Sequence, residues 1–347
     1  MARVAVVLFN LGGPDSPEAV RPFLFNLFND RAIISLPSLI RGPLAWFVSR
    51  RRAPVATEIY DKLGGSSPLL KLTQEQALAL GDRLSHVGEV RVFIAMRYWH
   101  PMSDETAAAV KTFNPDHVVL LPLYPQFSTT TTASSLDRWR QAAAAAGLTA
   151  PSHAICCYPE EPGWIEAVTE LAGRGLEEAR TMGQPRLLFS AHGLPKKVVD
   201  GGDPYAWQVE QSAAAVAGAL GLNKPDWAIC YQSRVGPLEW LGPSLDEELR
   251  RAAEDGVPVA VVPIAFVSEH SETLVELDME YRAMARDLGV PGYVRVPAAA
   301  THPAFMDGLA NLVGAALSRG QVLTSGQSGG TVNCAANLSR CPLQQSA

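Results

Sequence analysis

Cysteine is scarce in this chain: five residues in 347, odd in number and unevenly placed. That argues against a secreted fold stapled by disulfides. No Cys-x-x-Cys pair, HExxH, P-loop, completed dinucleotide fingerprint or kinase signature occurs, which excludes the signposted routes to zinc, nucleotide and phosphoryl-transfer chemistry. An excess of positive charge is also missing. The net charge is −6, which speaks against nucleic acid as a partner. Long apolar runs are absent too. The greasiest patch, Ile33 to Val48, is interrupted by Pro37, Arg41 and Pro43, short of the about 20 mainly apolar residues that a spanning helix needs. No secretory signal is visible, because Met1 to Asn10 is a short strand-like run ending directly in Gly12-Gly13-Pro14. A cytoplasmic protein is expected.

What is present fits a soluble α/β protein: 47% hydrophobic and 18% charged residues, in a chain long enough for two domains. Val4 to Phe9 reads as a buried strand. Further strands are expected at Arg91 to Tyr98, His117 to Tyr124, His153 to Tyr158, Arg186 to Ser190, Trp227 to Tyr231, Val257 to Val267 and Tyr293 to Val296, with helical segments between them. Two rounds of strand-helix alternation predict two doubly wound, Rossmann-like domains with a cleft between them. The expected division is 1–160, 161–320 and a polar tail, 321–347. The apolar stretch Leu36 to Val48, followed by Arg50, Arg51 and Arg52, reads equally as a core helix with a cationic end or as a lip for a large apolar ligand or a membrane surface.

Chemistry gathers at strand ends. The strand from Pro258 stops at Ser268-Glu269-His270-Ser271-Glu272. On the helix that follows, Glu272, Glu276 and Glu280 recur every four residues, which stacks their carboxylates on one face. The reading is a solvated acidic face or a ladder for cations or protons, with Glu272 favoured as an anion by the helix dipole. A second strand runs through Phe189 into Ser190-Ala191-His192-Gly193, placing an imidazole where it can accept a proton or bind a metal. A third ends in Tyr231-Gln232-Ser233-Arg234, followed by Trp240 between glycine and proline turns; an indole there either packs in the core or stacks on a planar ligand. The hydroxyl run Ser128 to Thr132 fits an anion site or a helix N-cap.

Taken in order, these motifs resemble the ferrochelatase family. The similarity runs through Asn10-Leu11-Gly12-Gly13-Pro14, Gly64-Gly65-Ser66-Ser67-Pro68, Met96-Arg97-Tyr98-Trp99-His100-Pro101 and Tyr124-Pro125-Gln126-Phe127-Ser128. It continues through Ser190-Ala191-His192-Gly193-Leu194-Pro195, the Tyr231 to Pro243 segment, and Phe266-Val267-Ser268-Glu269-His270-Ser271-Glu272-Thr273-Leu274. It covers about residues 3 to 320. The resemblance implies the chelatase fold and insertion of ferrous iron into protoporphyrin IX at the end of haem synthesis. It implies His192 and Glu272 as the catalytic pair, with His192 taking pyrrole protons or holding iron. Glu276 and Glu280 would extend the metal path from these two. Trp240 and the Leu36 to Val48 lip would contact the macrocycle, and Arg97, Tyr98 and Ser128 its propionates or the wall. Imidazole and carboxylate suit ferrous iron. A sister chelatase acting on coproporphyrin or inserting cobalt, and a porphyrin carrier on the same fold, stay open as alternatives. Reversible contact with the inner face of the membrane is expected through the lip and its arginines.

The resemblance also bears on the tail. Some members hold a [2Fe-2S] cluster by four cysteines. Here Cys334 and Cys341 lie in the tail and Cys156 and Cys157 sit together at a strand end, while Cys230 reads as a packed core thiol. The expected ligands are Cys334, Cys341 and the Cys156-Cys157 pair; four unrelated reduced thiols are the alternative.

Overall fold

The computed structural model describes residues 2–234, 236–319, 323–324 and 338–342. The strands are β1 (Arg3–Asn10), β2 (Glu89–Met96), β3 (His117–Pro122), β4 (Ser152–Ile155), β5 (Arg186–His192), β6 (Trp227–Gln232), β7 (Val259–Pro263), β8 (Tyr293–Arg295) and β9 (Leu323–Thr324). They form two parallel sheets, of order β2-β1-β3-β4-β9 and β6-β5-β7-β8. The first four strands of each sheet thus repeat one winding, and both sheets are doubly wound as expected. The described residues fall into two compact units. One is drawn from Met1–Tyr124, Ser128–Cys156 and Ala310–Thr324, the other from Pro125–Phe127, Cys157–Leu309 and Ser325–Ala347.

The central strands are the most apolar because helices cover both of their faces. Residues 4–10 of β1 are all buried, as are residues 186–191 of β5 and the whole of β7. In the first unit Ala5, Val7 and Phe9 pack with Val110, Leu120, Leu136 and Trp139. Phe9 meets the Trp139 ring edge-on at 5.8 Å. In the second, Leu188, Val259 and Val261 pack with Leu245, Leu249, Leu277 and Tyr281.

Strand β7 is shorter than the apolar run Val257 to Val267 implies. It stops at Pro263, where the Ile264 N–H, after a last ladder bond to the Ser190 carbonyl at 3.0 Å, also turns onto the Val262 carbonyl at 2.9 Å. The apolar patch near the amino terminus becomes part of the helix Ser38–Asp61. Its greasy side chains do not make a core: Leu39 is 89% exposed, and Ile40, Trp46 and Phe47 are also exposed. The guanidinium groups of Arg21 and Arg50 each lie 5.6 Å from the Trp46 ring. Among the described residues no helix is long and apolar enough to cross a membrane. In the tail, Leu338 and Cys341 are buried, and the Arg340 N–H donates to the Gly202 carbonyl at 3.1 Å. Cys334 lies outside the described residues.

Candidate active site

In the second sheet the winding reverses between β5 and β7, which is where open α/β sheets hold their ligands, beyond the carboxyl ends of the strands. Three chain segments leave the sheet there. Strand β5 delivers His192, whose carbonyl accepts the Tyr205 hydroxyl at 3.1 Å. Gly193 follows, donating its N–H to the Gln232 carbonyl at 2.8 Å. A Cβ at Gly193 would come within 2.9 Å of that carbonyl oxygen and 3.4 Å of the Trp240 ring, so the close passage beside Trp240 requires glycine. The Trp240 indole N–H is buried and has no hydrogen-bond partner among the described residues.

After β7 a loop leads into Glu272–Tyr281, which winds as a π-helix. The four-residue carboxylate spacing had predicted an ordinary helix. Hydrogen bonds from each residue to the fifth give wider turns, rare except in short stretches and frequent at functional sites. The helix turns Glu272 and Glu276 toward β5 and β6. His192 Nδ1–H donates to Glu272 Oε2 at 2.8 Å, with the two side chains 38% and 27% exposed. No described residue hydrogen-bonds His192 Nε2 or Glu272 Oε1. Glu276 is held by the end of β6: Ser233 N–H donates to Oε1 at 2.8 Å, while Ser233 Oγ at 2.5 Å and Gln232 Nε2 at 3.3 Å donate to Oε2. Glu280 is exposed farther along the helix.

The charges interlock. Burial alone would depress the His192 pKa, but the Glu272 carboxylate and its hydrogen bond outweigh it and raise the imidazole above its ordinary value. Burial pushes Glu272 up, and the opposing attraction and hydrogen bond of His192, aided by His270 and Ser233, bring its pKa below the usual carboxylate range. Glu276 is raised to about 7, by burial first and then by the Glu272 charge, against the Ser233 hydrogen bonds. His270 is depressed by burial. Its ring lies on Phe266 with centroids 4.8 Å apart, and Nδ1 is buried without a partner among the described residues. The site therefore offers a carboxylate with an open oxygen and an imidazole with an open nitrogen, beside a second, neutral imidazole.

The first unit presents a different arrangement. Arg97 Nη2, the Tyr98 hydroxyl and the Ser134 hydroxyl all donate to Asp30 Oδ2, at 2.7, 2.8 and 2.5 Å. Arg97 Nε also donates to Ser134 Oγ at 2.7 Å. Tyr98 is 1% exposed, and its hydroxyl is spent on this knot. Ser128 is buried and caps the short π-helix Thr129–Ala133, accepting the Thr130 N–H at 3.1 Å.

Of the residues singled out from sequence, the second unit brings together His192, Glu272 and Glu276, with Trp240 packed at Gly193. Arg97 and Tyr98 share a knot with Asp30, and Ser128 is a cap. Sequence reasoning passed over Ser233 and Gln232, because a Gln-Ser pair at a strand end carries no motif. It also left His270 without a role, although His270 lies two residues before Glu272 in the same polar strand end.

A family model described as Ferrochelatase matches residues 3–317. The ferrochelatase of Caulobacter vibrioides is 52% identical over 348 residues, 99% of each chain. That of Phenylobacterium zucineum is 56% identical over 320 residues, 91% of this chain and 92% of the other. Among solved structures, "SirB from Bacillus subtilis with Fe3+" superposes with a TM-score of 0.53 at 13% identity, covering 93% of this chain and 99% of that one. At that identity the likeness speaks for the chelatase fold alone.

Proposed function

The chain belongs to the ferrochelatase family, and from that premise we infer that it inserts ferrous iron into protoporphyrin IX to make protohaem, with His192 and Glu272 as the working pair. The observation that carries the assignment of residues is the 2.8 Å contact of His192 Nδ1–H with Glu272 Oε2 at the switch point of the second sheet. With Nδ1 committed, Nε2 is the imidazole atom left to accept a pyrrole proton, and the neighbouring carboxylate stabilises the imidazolium that forms. Glu272 Oε1 is the oxygen left for the incoming cation. Each insertion releases two pyrrole protons as the dication enters, so the macrocycle's charge is unchanged. His270, whose imidazolium burial disfavours, stays neutral beside the pair. Trp240 supports the macrocycle, Glu276 leads protons and Glu280 cations or protons outward, and Arg97, Tyr98 and Ser128 brace the first unit. Anaerobic assays with protoporphyrin, coproporphyrin and sirohydrochlorin separate this reading from a sister chelatase. Protohaem should form fastest, and faster insertion into either other macrocycle overturns the substrate assignment.

The exposed apolar face of Ser38–Asp61, with Arg50, Arg51 and Arg52, supports reversible binding to an anionic lipid surface. Flotation with liposomes should depend on anionic lipid. For the tail we propose a [2Fe-2S] cluster, with Cys334, Cys341 and the Cys156-Cys157 pair as ligands. Cys156, Cys157 and Cys341 are buried, Cys157 Sγ accepts the Gln208 amide at 3.4 Å, and the turn carrying Cys341 is fastened to Gly202. Among the described residues no three His, Cys, Asp or Glu surround one point, so these residues supply only part of a ligand set. Bound, the cluster would supply thiolate-ligated iron that fastens the tail. Protein prepared anaerobically with iron and sulfide should be reddish-brown and bleach with dithionite. A colourless preparation rules the cluster out.

A further inference from the structure

Ser233 is one of three non-glycine residues with a left-handed backbone among the described residues, at φ 61°. Such a conformation costs a non-glycine residue energy and persists where its surroundings enforce it. Here it turns one residue's N–H and hydroxyl toward the same carboxylate. The N–H reaches Glu276 Oε1 at 2.8 Å and the hydroxyl reaches Oε2 at 2.5 Å. The same hydroxyl oxygen lies 3.3 Å from Glu272 Oε2, the oxygen that His192 also contacts.

Gln232 completes the grip. Both it and Ser190 are fully buried. The Ser190 hydroxyl donates to Gln232 Oε1 at 2.8 Å, which fixes the amide so that its NH2 faces the carboxylates. From there Nε2 donates to Glu276 Oε2 and to the Glu272 carbonyl, each at 3.3 Å. Both oxygens of Glu276 are thus occupied by donors from the protein, whereas Glu272 keeps Oε1 open. A carboxylate bound by two short donors from Ser233 and a longer one from the braced Gln232 amide is held in one rotamer and is poorly placed to swing toward a cation.

We propose that Ser233, braced by Gln232 and Ser190, is a positioning residue that locks the Glu276 carboxylate beside Glu272, so that Glu272 alone presents an open oxygen to the entering metal. This rests on the assignment of Glu272 to the reaction and adds a division of labour between the two glutamates.

The test is a double-mutant cycle on the full chain, read by anaerobic iron insertion into protoporphyrin. Ser233→Ala removes the hydroxyl and keeps the N–H. Ser233→Gly does the same and also relieves the left-handed backbone, which separates loss of the hydroxyl from strain. Both variants should lose roughly tenfold or more in kcat, the scale of a hydrogen bond to a charged group. The KM for porphyrin and the melting temperature of Ser233→Gly should stay at parental values. Adding Ser233→Ala to Glu276→Gln should change kcat by less than about twofold, since both act through one group. Parental kcat in both Ser233 variants overturns the proposal, as does loss in Ala with none in Gly. Equal losses with and without Glu276→Gln overturn it as well, because Ser233 then acts on something else. Glu272→Gln is measured alongside. Parental turnover there overturns the carboxylate reading together with this proposal, while loss there with active Ser233 variants overturns the positioning role alone.

Discussion

Both units place a carboxylate beyond a sheet and surround it with donors, yet the two carboxylates are in opposite conditions. In the first unit Asp30 Oδ2 receives three donors, from Arg97, Tyr98 and Ser134, and the side chain is 6% exposed. In the second, Glu272 shares one oxygen with His192 and Ser233, leaves the other open, and is 27% exposed. A saturated, buried ion pair is a fixture: its desolvation has been met by its partners, and it has nothing left to offer a ligand. An unsaturated one at a sheet's switch point has bonding capacity to spare. The number of unfilled lone pairs, more than the residue type, separates the saturated cluster from the one proposed to react.

The sharpest way to break this contrast is to exchange the consequences. His192→Ala should cut iron insertion roughly a hundredfold or more, the usual contribution of a positioned base, with little change in melting temperature. Asp30→Asn should do the reverse. It leaves the Arg97 guanidinium, 17% exposed, without its countercharge and should cost about 3–5 kcal/mol in denaturant unfolding. Turnover per folded molecule should be retained. If Asp30→Asn unfolds normally, the knot is no fixture.

A smaller effect follows from the raised Glu276 pKa of about 7. An unfolded glutamate releases its proton near 4.5, so the folded state binds the extra proton between these values and loses stability as pH rises through that window. Glu276→Gln removes this slope. Its melting temperature relative to the parent should climb from pH 5 to pH 8, and a flat difference would contradict the shift. The smallest effect is on His192. Its raised pKa means that the ion pair's stabilisation is present below the ordinary imidazole value and fades as pH rises through the raised one. The contribution is small because both side chains are partly exposed and screened. In a ring-nitrogen NMR titration, Glu272→Gln should lower the His192 pKa below its parental value, since burial then meets less opposition.

The doubly wound units were legible because buried parallel strands are near-continuous apolar runs, as at β1, β5 and β7, and because strand-helix alternation repeats twice. His192 and Glu272 were legible for a related reason: polar residues that cut off an apolar run mark a strand's carboxyl end. The extent of β7 was not, since Val257 to Val267 stays apolar while the proline at 263 and a turn of the backbone end the ladder. The π-helical winding of Glu272–Tyr281 was hidden as well, because apolar residues at 274, 277 and 281 fit ordinary helical spacing. Ser233 escaped notice because its role comes from a backbone angle. The apolar lip had two equal readings from sequence, because apolar residues beside arginines fit a core helix and a surface one alike; its exposure along Ser38–Asp61 speaks against the core helix.

The most direct measurement is single-turnover iron insertion by Glu272→Gln under anaerobic conditions, with porphyrin binding followed separately by its fluorescence. If the open oxygen of Glu272 receives the metal, the variant binds porphyrin as the parent does and fails to metallate it. Insertion at the parental rate would contradict that assignment and place metal entry elsewhere in the molecule.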